Sequence, residues 1–78
     1  MSDAQWAQVA KIIEADRPRG GSPVDLRNVV DGIRWKFERG ARWSDIPSHL
    51  GARTTCTRWY KRWVASQAWE KVLAVFSL

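Results

Sequence analysis

Residues 44–65, "SDIPSHLGARTTCTRWYKRWVA", contain two apolar patterns separated by a glycine. Before the glycine, Ile46 and Leu50 are four residues apart and therefore lie on one face of a helix. After it, apolar side chains recur at helical spacing from Cys56 to Trp63. A short helix, a turn that contains glycine and a second amphipathic helix together describe a helix-turn-helix. We predict this motif over residues 44–65.

The second of these helices carries a concentrated positive charge. Residues 53–63 hold four basic side chains and no acidic one, whereas residues 1–52 hold eight Lys or Arg against seven Asp or Glu. Most of the net charge of +5 therefore comes from one short segment. A focused basic patch suits a polyanion, so double-stranded DNA is the expected partner.

The helical spacing divides this segment into two faces. Cys56, Tyr60 and Trp63 share one face, and we expect them to pack in the core. Residues near the N-terminal end of a recognition helix usually contact base edges, and more distal basic residues usually contact phosphates. The base-reading candidates are Arg53, Thr54, Thr55, Thr57 and Arg58, and the phosphate candidates are Lys61, Arg62 and Arg42. The alternative is that these charges are only solvated surface.

The rest of the chain shows the same helical periodicity, and no segment alternates with period two for long enough to indicate a strand. We therefore predict an all-α fold, a single domain over residues 1–78 with about five helices. The expected helices span residues 3–15, 24–39, 44–50, 54–65 and 67–77. Proline and glycine make the stretch after the first helix a loop. In it, Arg17 and Arg19 are candidates for an arm that enters a minor groove, with a plain connecting loop as the alternative.

The composition excludes several kinds of site. One Cys and one His cannot form a disulfide or a zinc finger, so no metal is expected, and Cys56 is expected to be a small buried side chain. No paired nucleophile and base and no glycine-rich phosphate loop are present, so we expect neither an enzyme nor a cofactor. No apolar run approaches the ~20 residues of a membrane span, and the N-terminus does not resemble an export signal. We expect a cytoplasmic, nucleoid-associated protein.

Five short motifs along the chain carry a family resemblance. They are D-x-Q-W (Asp3, Gln5, Trp6), P-V-D (Pro23 to Asp25), G-I-x-W (Gly32 to Trp35), W-x-D-x-P (Trp43 to Pro47) and W-E (Trp69, Glu70). As an ordered set they resemble the N-terminal helix-turn-helix domain of bacterial transposases of the insertion-sequence-five type, from Ser2 to about Leu73. The resemblance implies recognition of the terminal DNA of a mobile element. We expect the chain to lack the acidic catalytic domain that follows in that family.

Three functions remain open at this point. The first is a stand-alone, sequence-specific DNA-binding protein that regulates transcription and derives from a transposase. The second is a truncated transposase, or the first reading frame of a mobile element, that binds element ends. The third is a protein-interaction or inhibitor module, which exposure of Trp35 or Trp59 would favour. The last helix has enough apolar surface either to close the core or to pair with a second copy, and we expect core closure in part and weak homodimerisation at most.

Overall fold

The computed structural model describes residues 1–15 and 25–77, and this part of the chain is all-α with no β-strand. It contains four α-helices: α1 (Asp3–Glu14), α2 (Leu26–Arg39), α3 (Arg53–Ala65) and α4 (Ala68–Phe76). Two short 3-10 turns, Trp43–Asp45 and Ser48–Leu50, lie between α2 and α3. The chain divides into two units. One contains α1, α4 and the end of α3, and the other contains α2, the 3-10 turns and α3 as far as Lys61.

The predicted helix over residues 44–50 is wrong, and the described part of the chain has four α-helices rather than about five. The reason is Pro47. Its ring disfavours the helical conformation in the residue before it, and Ile46 is accordingly extended, with ψ 126°. The first 3-10 turn therefore ends before the proline, and the second begins after it. Arg42 is the N-cap of the first turn.

The other predicted helices are present with small shifts at their ends. α1 ends one residue earlier than predicted, α3 begins one residue earlier, and α4 is one residue shorter at each end. The predicted start of α2 at residue 24 lies outside the described residues, as does most of the predicted loop. α2 begins instead after Asp25, whose Oδ1 accepts a hydrogen bond from the Asn28 N–H at 3.2 Å. It ends at Gly40, which has the left-handed φ of 62° that favours glycine.

The unit that contains α1 and α4 is built from two amphipathic helices. α1 begins with a reciprocal cap, in which the Gln5 N–H donates to Ser2 Oγ at 3.1 Å and the Ser2 N–H donates to Gln5 Oε1 at 3.0 Å. α1 contacts α4, and each helix buries its apolar stripe. Within this unit the rings of Trp63 and Trp69 stack nearly parallel, with centroids 6.1 Å apart.

The unit that contains α2 depends on a close approach at Gly32. A Cβ at this position would lie 3.1 Å from the Leu50 carbonyl oxygen and 3.2 Å from Cys56 Sγ. The thiol of Cys56 is itself directed at that carbonyl, with Sγ 3.8 Å from the oxygen. Glycine therefore allows the second 3-10 turn and the start of α3 to pack directly on α2. Burial of Cys56, expected from the sequence, is confirmed.

We expect Gly32→Ala to lower the free energy of unfolding by about 1–2 kcal/mol. Overpacking costs about 1–3 kcal/mol, and this outweighs the gain of up to about 1 kcal/mol that alanine has over glycine inside a helix. Urea unfolding followed by circular dichroism measures the change. Cys56→Ala removes one of the two close contacts, so the double variant should lose less than the sum of the two single variants. Additive losses, or a Gly32→Ala chain as stable as the wild type, would contradict the close approach.

Candidate nucleic-acid interface

The first half of α3 has one buried face and one basic face. Cys56 and Trp59 are buried, while Arg53, Arg58 and Lys61 are exposed. This division follows from the rotation of about 100° per residue, which places positions 57, 58 and 61 about 100–160° away from position 56. The prediction that Cys56 packs in the core is therefore confirmed. Tyr60, which was expected in the core, is only half-buried.

An open groove of about 610 Å³ runs along the basic face. Its lining consists of five side chains from α3 and one from the first 3-10 turn, namely Arg53, Thr54, Thr57, Arg58, Lys61 and Trp43. The α3 residues are spaced i, i+1, i+4, i+5 and i+8, so they form one continuous stripe. Among residues 1–15 and 25–77, no carboxylate lines the groove. The groove is thus positively charged and has one large aromatic ring.

The three cations of the groove have their charges available for a ligand. Among residues 1–15 and 25–77, Arg53, Arg58 and Lys61 form no ion pair with a carboxylate. Arg34 on α2 differs, since its guanidinium lies 2.9 Å from Glu38 Oε1. Cations that are not neutralised within the protein raise the local positive potential and favour an anionic ligand.

The five base-reading candidates do not all lie in the groove. Arg53, Thr54, Thr57 and Arg58 line it, whereas Thr55 does not. The Thr57 hydroxyl donates a hydrogen bond to the Arg53 carbonyl oxygen at 2.8 Å. Its proton is therefore engaged within the helix, and the methyl group and the oxygen lone pairs are what Thr57 can offer to a ligand.

The phosphate candidates separate in a similar way. Lys61 lines the groove, and Arg62 is exposed outside it. Arg42 is exposed next to the first 3-10 turn, with its Nε 3.6 Å from Asp45 Oδ2 and its backbone N–H donating to the same oxygen at 3.1 Å. Arg17 and Arg19, the candidates for a minor-groove arm, lie outside the described residues.

An aromatic cluster beside the groove was not predicted from the sequence. Its members are Phe37, Trp43 and Tyr60, with ring centroids 5.2–6.0 Å apart. The Lys36 ammonium lies 4.3 Å from the Phe37 ring centre and 4.9 Å from that of Trp43. Trp43 lies between the predicted helices over residues 24–39 and 44–50. Helical spacing could therefore not assign its side chain to a face. The W-x-D-x-P motif was the one signal that included it.

The tryptophans singled out for the protein-interaction hypothesis are not freely exposed. Trp59 is only 7% exposed. Trp35 is half-buried, and the Arg39 guanidinium lies 5.2 Å from its ring centre. Exposure of Trp59 would have favoured that hypothesis, and this condition is not met. The exposed large apolar side chains in the described part of the chain are Phe37, Val64 and Leu73.

The sequence of the whole groove region falls within a known family. Residues 1–73 match the family model described as "Putative transposase of IS4/5 family". The chain belongs to this family. The resemblance inferred from the five motifs is therefore confirmed, and the W-x-D-x-P motif that brings Trp43 to the groove lies inside the matched range.

Two bacterial proteins are similar to this IS4/5-family chain, and one of them is named as a protein of an insertion element. It is 28% identical over 79 residues to the "Insertion element IS402 uncharacterized 16.2 kDa protein" of Burkholderia cepacia, covering 92% of this chain and 54% of that protein. It is 27% identical over 78 residues to "Uncharacterized protein y4sN" of Sinorhizobium fredii, covering 99% of this chain and 62% of that protein. The chain thus spans roughly half to three fifths of these relatives. No solved structure shows a significant match.

Other kinds of site find no support in the described ranges of this IS4/5-family chain. No group of His, Cys, Asp and Glu residues there could hold a metal ion. None of the described helices has the length and apolar character to cross a membrane. Burial raises the pKa of the Cys56 thiol above its ordinary value of 9.0, which favours the neutral, unreactive form.

The raised pKa of Cys56 predicts a pH-dependent loss of stability in this IS4/5-family chain. The unfolded chain loses the thiol proton above about pH 9, while the folded chain retains it. The contribution of the thiol to the free energy of unfolding therefore falls as the pH rises above 9, by at most about 1.4 kcal/mol per pH unit. The stability of the wild type relative to Cys56→Ala should fall between pH 8 and pH 10, measured by urea unfolding in reductant. A constant difference would contradict burial of the thiol.

Proposed function

We propose that the basic face of α3 binds double-stranded DNA and that residues 43–65 act as a helix-turn-helix. This proposal is supported by the groove, in which two threonines and three cations share one face of the first half of α3, and these cations have no carboxylate partner among the residues that the structure describes. In this arrangement α3 is the recognition helix. The two 3-10 turns take the place of the preceding helix, and residues 1–78 form one DNA-binding domain.

The side chains of the groove offer the two kinds of contact that a recognition helix needs. Arg53 and Arg58 can each make a bidentate contact with guanine, and the methyl groups of Thr54 and Thr57 can contact thymine. Lys61 lies one to two turns further along α3, where contacts to phosphates are usual. Arg62 and Arg42 flank the groove and are proposed as further phosphate contacts. Thr55, outside the groove, has the weakest case as a base contact, and Arg17 and Arg19 remain candidates for a minor-groove arm.

Family membership supports the DNA of a mobile element as the target. The chain belongs to the IS4/5 transposase family, and one relative is named as a protein of an insertion element. We therefore propose binding to element ends as the primary role, with regulation of transcription as the alternative use of the same surface. Both roles require binding and not catalysis by the described residues. A weak homodimer fits either role, because many helix-turn-helix proteins bind paired half-sites.

The electrostatic part of this proposal predicts a steep salt dependence. Neutralisation of about four to six phosphates by the basic side chains on and beside α3 should give a slope of about −4 to −5 in a plot of log affinity against log salt. Fluorescence anisotropy with a labelled, mixed-sequence 20-bp duplex measures this slope. Lys61→Ala should weaken binding and make the slope shallower by about 1.

Lys71→Ala is the matched control, because it removes the same charge from an exposed helical position on α4. We expect its affinity and slope to stay close to those of the wild type. Equal effects of the two substitutions would indicate that only the net charge matters, and the α3 surface would then not be the interface.

Selection of bound sequences from a random 20-bp pool tests sequence specificity. A consensus that is lost in Arg58→Ala supports sequence recognition, and no enrichment over the starting pool would contradict it.

A further inference from the structure

We propose that Trp43 is a DNA contact whose indole packs against a deoxyribose of one strand while the α3 cations bind the neighbouring phosphates. This inference rests on the proposed binding of duplex DNA by α3. It adds an aromatic contact, from outside the recognition helix, to the contacts proposed for the α3 side chains.

The chemistry of the groove points to a DNA strand as its occupant. The Trp43 indole lies in the same groove as Arg53, Arg58 and Lys61, and the described part of the chain places no carboxylate in its lining. A DNA strand alternates an anionic phosphate with a largely apolar sugar, so it presents both kinds of surface at short, regular intervals. The cations select a polyanion, and the indole gives it an apolar surface to pack on.

The position of Trp43 in the chain favours the sugar over the base edges. Trp43 begins the first 3-10 turn, which lies before α3 in the proposed helix-turn-helix. In that motif the element before the recognition helix crosses the DNA backbone, and the recognition helix occupies the major groove. A ring at the start of this element is therefore placed beside the sugar–phosphate chain.

The surroundings of Trp43 hold its ring in place before any ligand arrives. The Phe37 ring packs edge-on to the Trp43 ring with centroids 6.0 Å apart, and the centroid of the Tyr60 ring lies 5.3 Å from that of Trp43. The Lys36 ammonium lies 4.9 Å from its ring centre. The backbone at its start is fixed by the hydrogen bond from the Arg42 N–H to Asp45. A side chain ordered in this way loses little conformational entropy on binding, which favours affinity.

The test compares Trp43→Leu with Phe37→Leu. Both substitutions remove one ring from the same cluster, but Phe37 does not line the groove. Affinity for the mixed-sequence 20-bp duplex is measured by anisotropy at three salt concentrations, after circular dichroism has established that both variants are folded. We expect Trp43→Leu to bind about tenfold more weakly at each salt concentration with the slope unchanged, since it removes an apolar contact and no charge. Phe37→Leu should stay within about twofold of the wild type.

The outcomes separate this inference from the proposed function. If the wild type does not bind the duplex at low salt, the proposed function is wrong and the inference falls with it. If the wild type binds and Trp43→Leu binds equally well, only the Trp43 contact is wrong. An equal loss in Phe37→Leu would attribute the effect to the packing of the cluster and would also overturn the contact. Tighter binding of a 20-nucleotide single strand than of the duplex, lost in Trp43→Leu, would indicate stacking on bases instead.

A second measurement keeps the test decisive if Trp43→Leu does not fold. The wild-type chain is labelled with 5-fluorotryptophan, and the Trp43 resonance is assigned by its loss in Trp43→Phe. We expect this resonance to shift when the duplex is added, and that of Trp69, which is buried in the other unit, to remain in place. A Trp43 resonance that does not move at saturating duplex would overturn the inference.

Discussion

The contact between Gly32 on α2 and the backbone at Leu50 is the constraint on which the basic face depends. A Cβ at Gly32 would lie 3.1 Å from the Leu50 carbonyl oxygen and 3.2 Å from Cys56 Sγ, closer than side chains usually pack. Because Cys56 faces α2 at this contact, the helical geometry directs Arg58 and Lys61 away from α2. The direction of the basic face is thus linked to the packing of Cys56 at one glycine.

The charges on α3 oppose its stability. No acidic residue occupies its first turn, although acidic side chains there stabilise a helix by about 0.3–1 kcal/mol. Arg53 stands at the helix start instead, where a positive charge is unfavourable to the helix dipole. Burial of the apolar face offsets these terms, because each large buried side chain contributes about 1.5–3 kcal/mol. A helix that retains repulsive charges on one face suits a polyanionic ligand that removes the repulsion.

Local sequence patterns predicted most of the helices and the division of α3 into faces. The bounds of α1 and α3, correct to within one residue, and the burial of Cys56 each depend on residues close in the chain, so local spacing was sufficient. The region before α3 was predicted incorrectly because one local rule, the restriction of Ile46 by Pro47, outweighed the helical spacing of Ile46 and Leu50. The aromatic cluster could not be predicted, since it joins Phe37 on α2 to Tyr60 on α3, and such contacts leave no periodic signal. The base-contact and phosphate-contact assignments of the individual α3 residues stay predictions.

The basic face of α3 is proposed as the surface that binds duplex DNA. This is tested by the amide chemical shifts of the ¹⁵N-labelled chain, followed by NMR during titration with a mixed-sequence 20-bp duplex. We expect the largest shifts at Trp43 and at residues 53–61, with small shifts along α1 and α4. Largest shifts on α1 or α4, or an unchanged spectrum at saturating duplex, would contradict it.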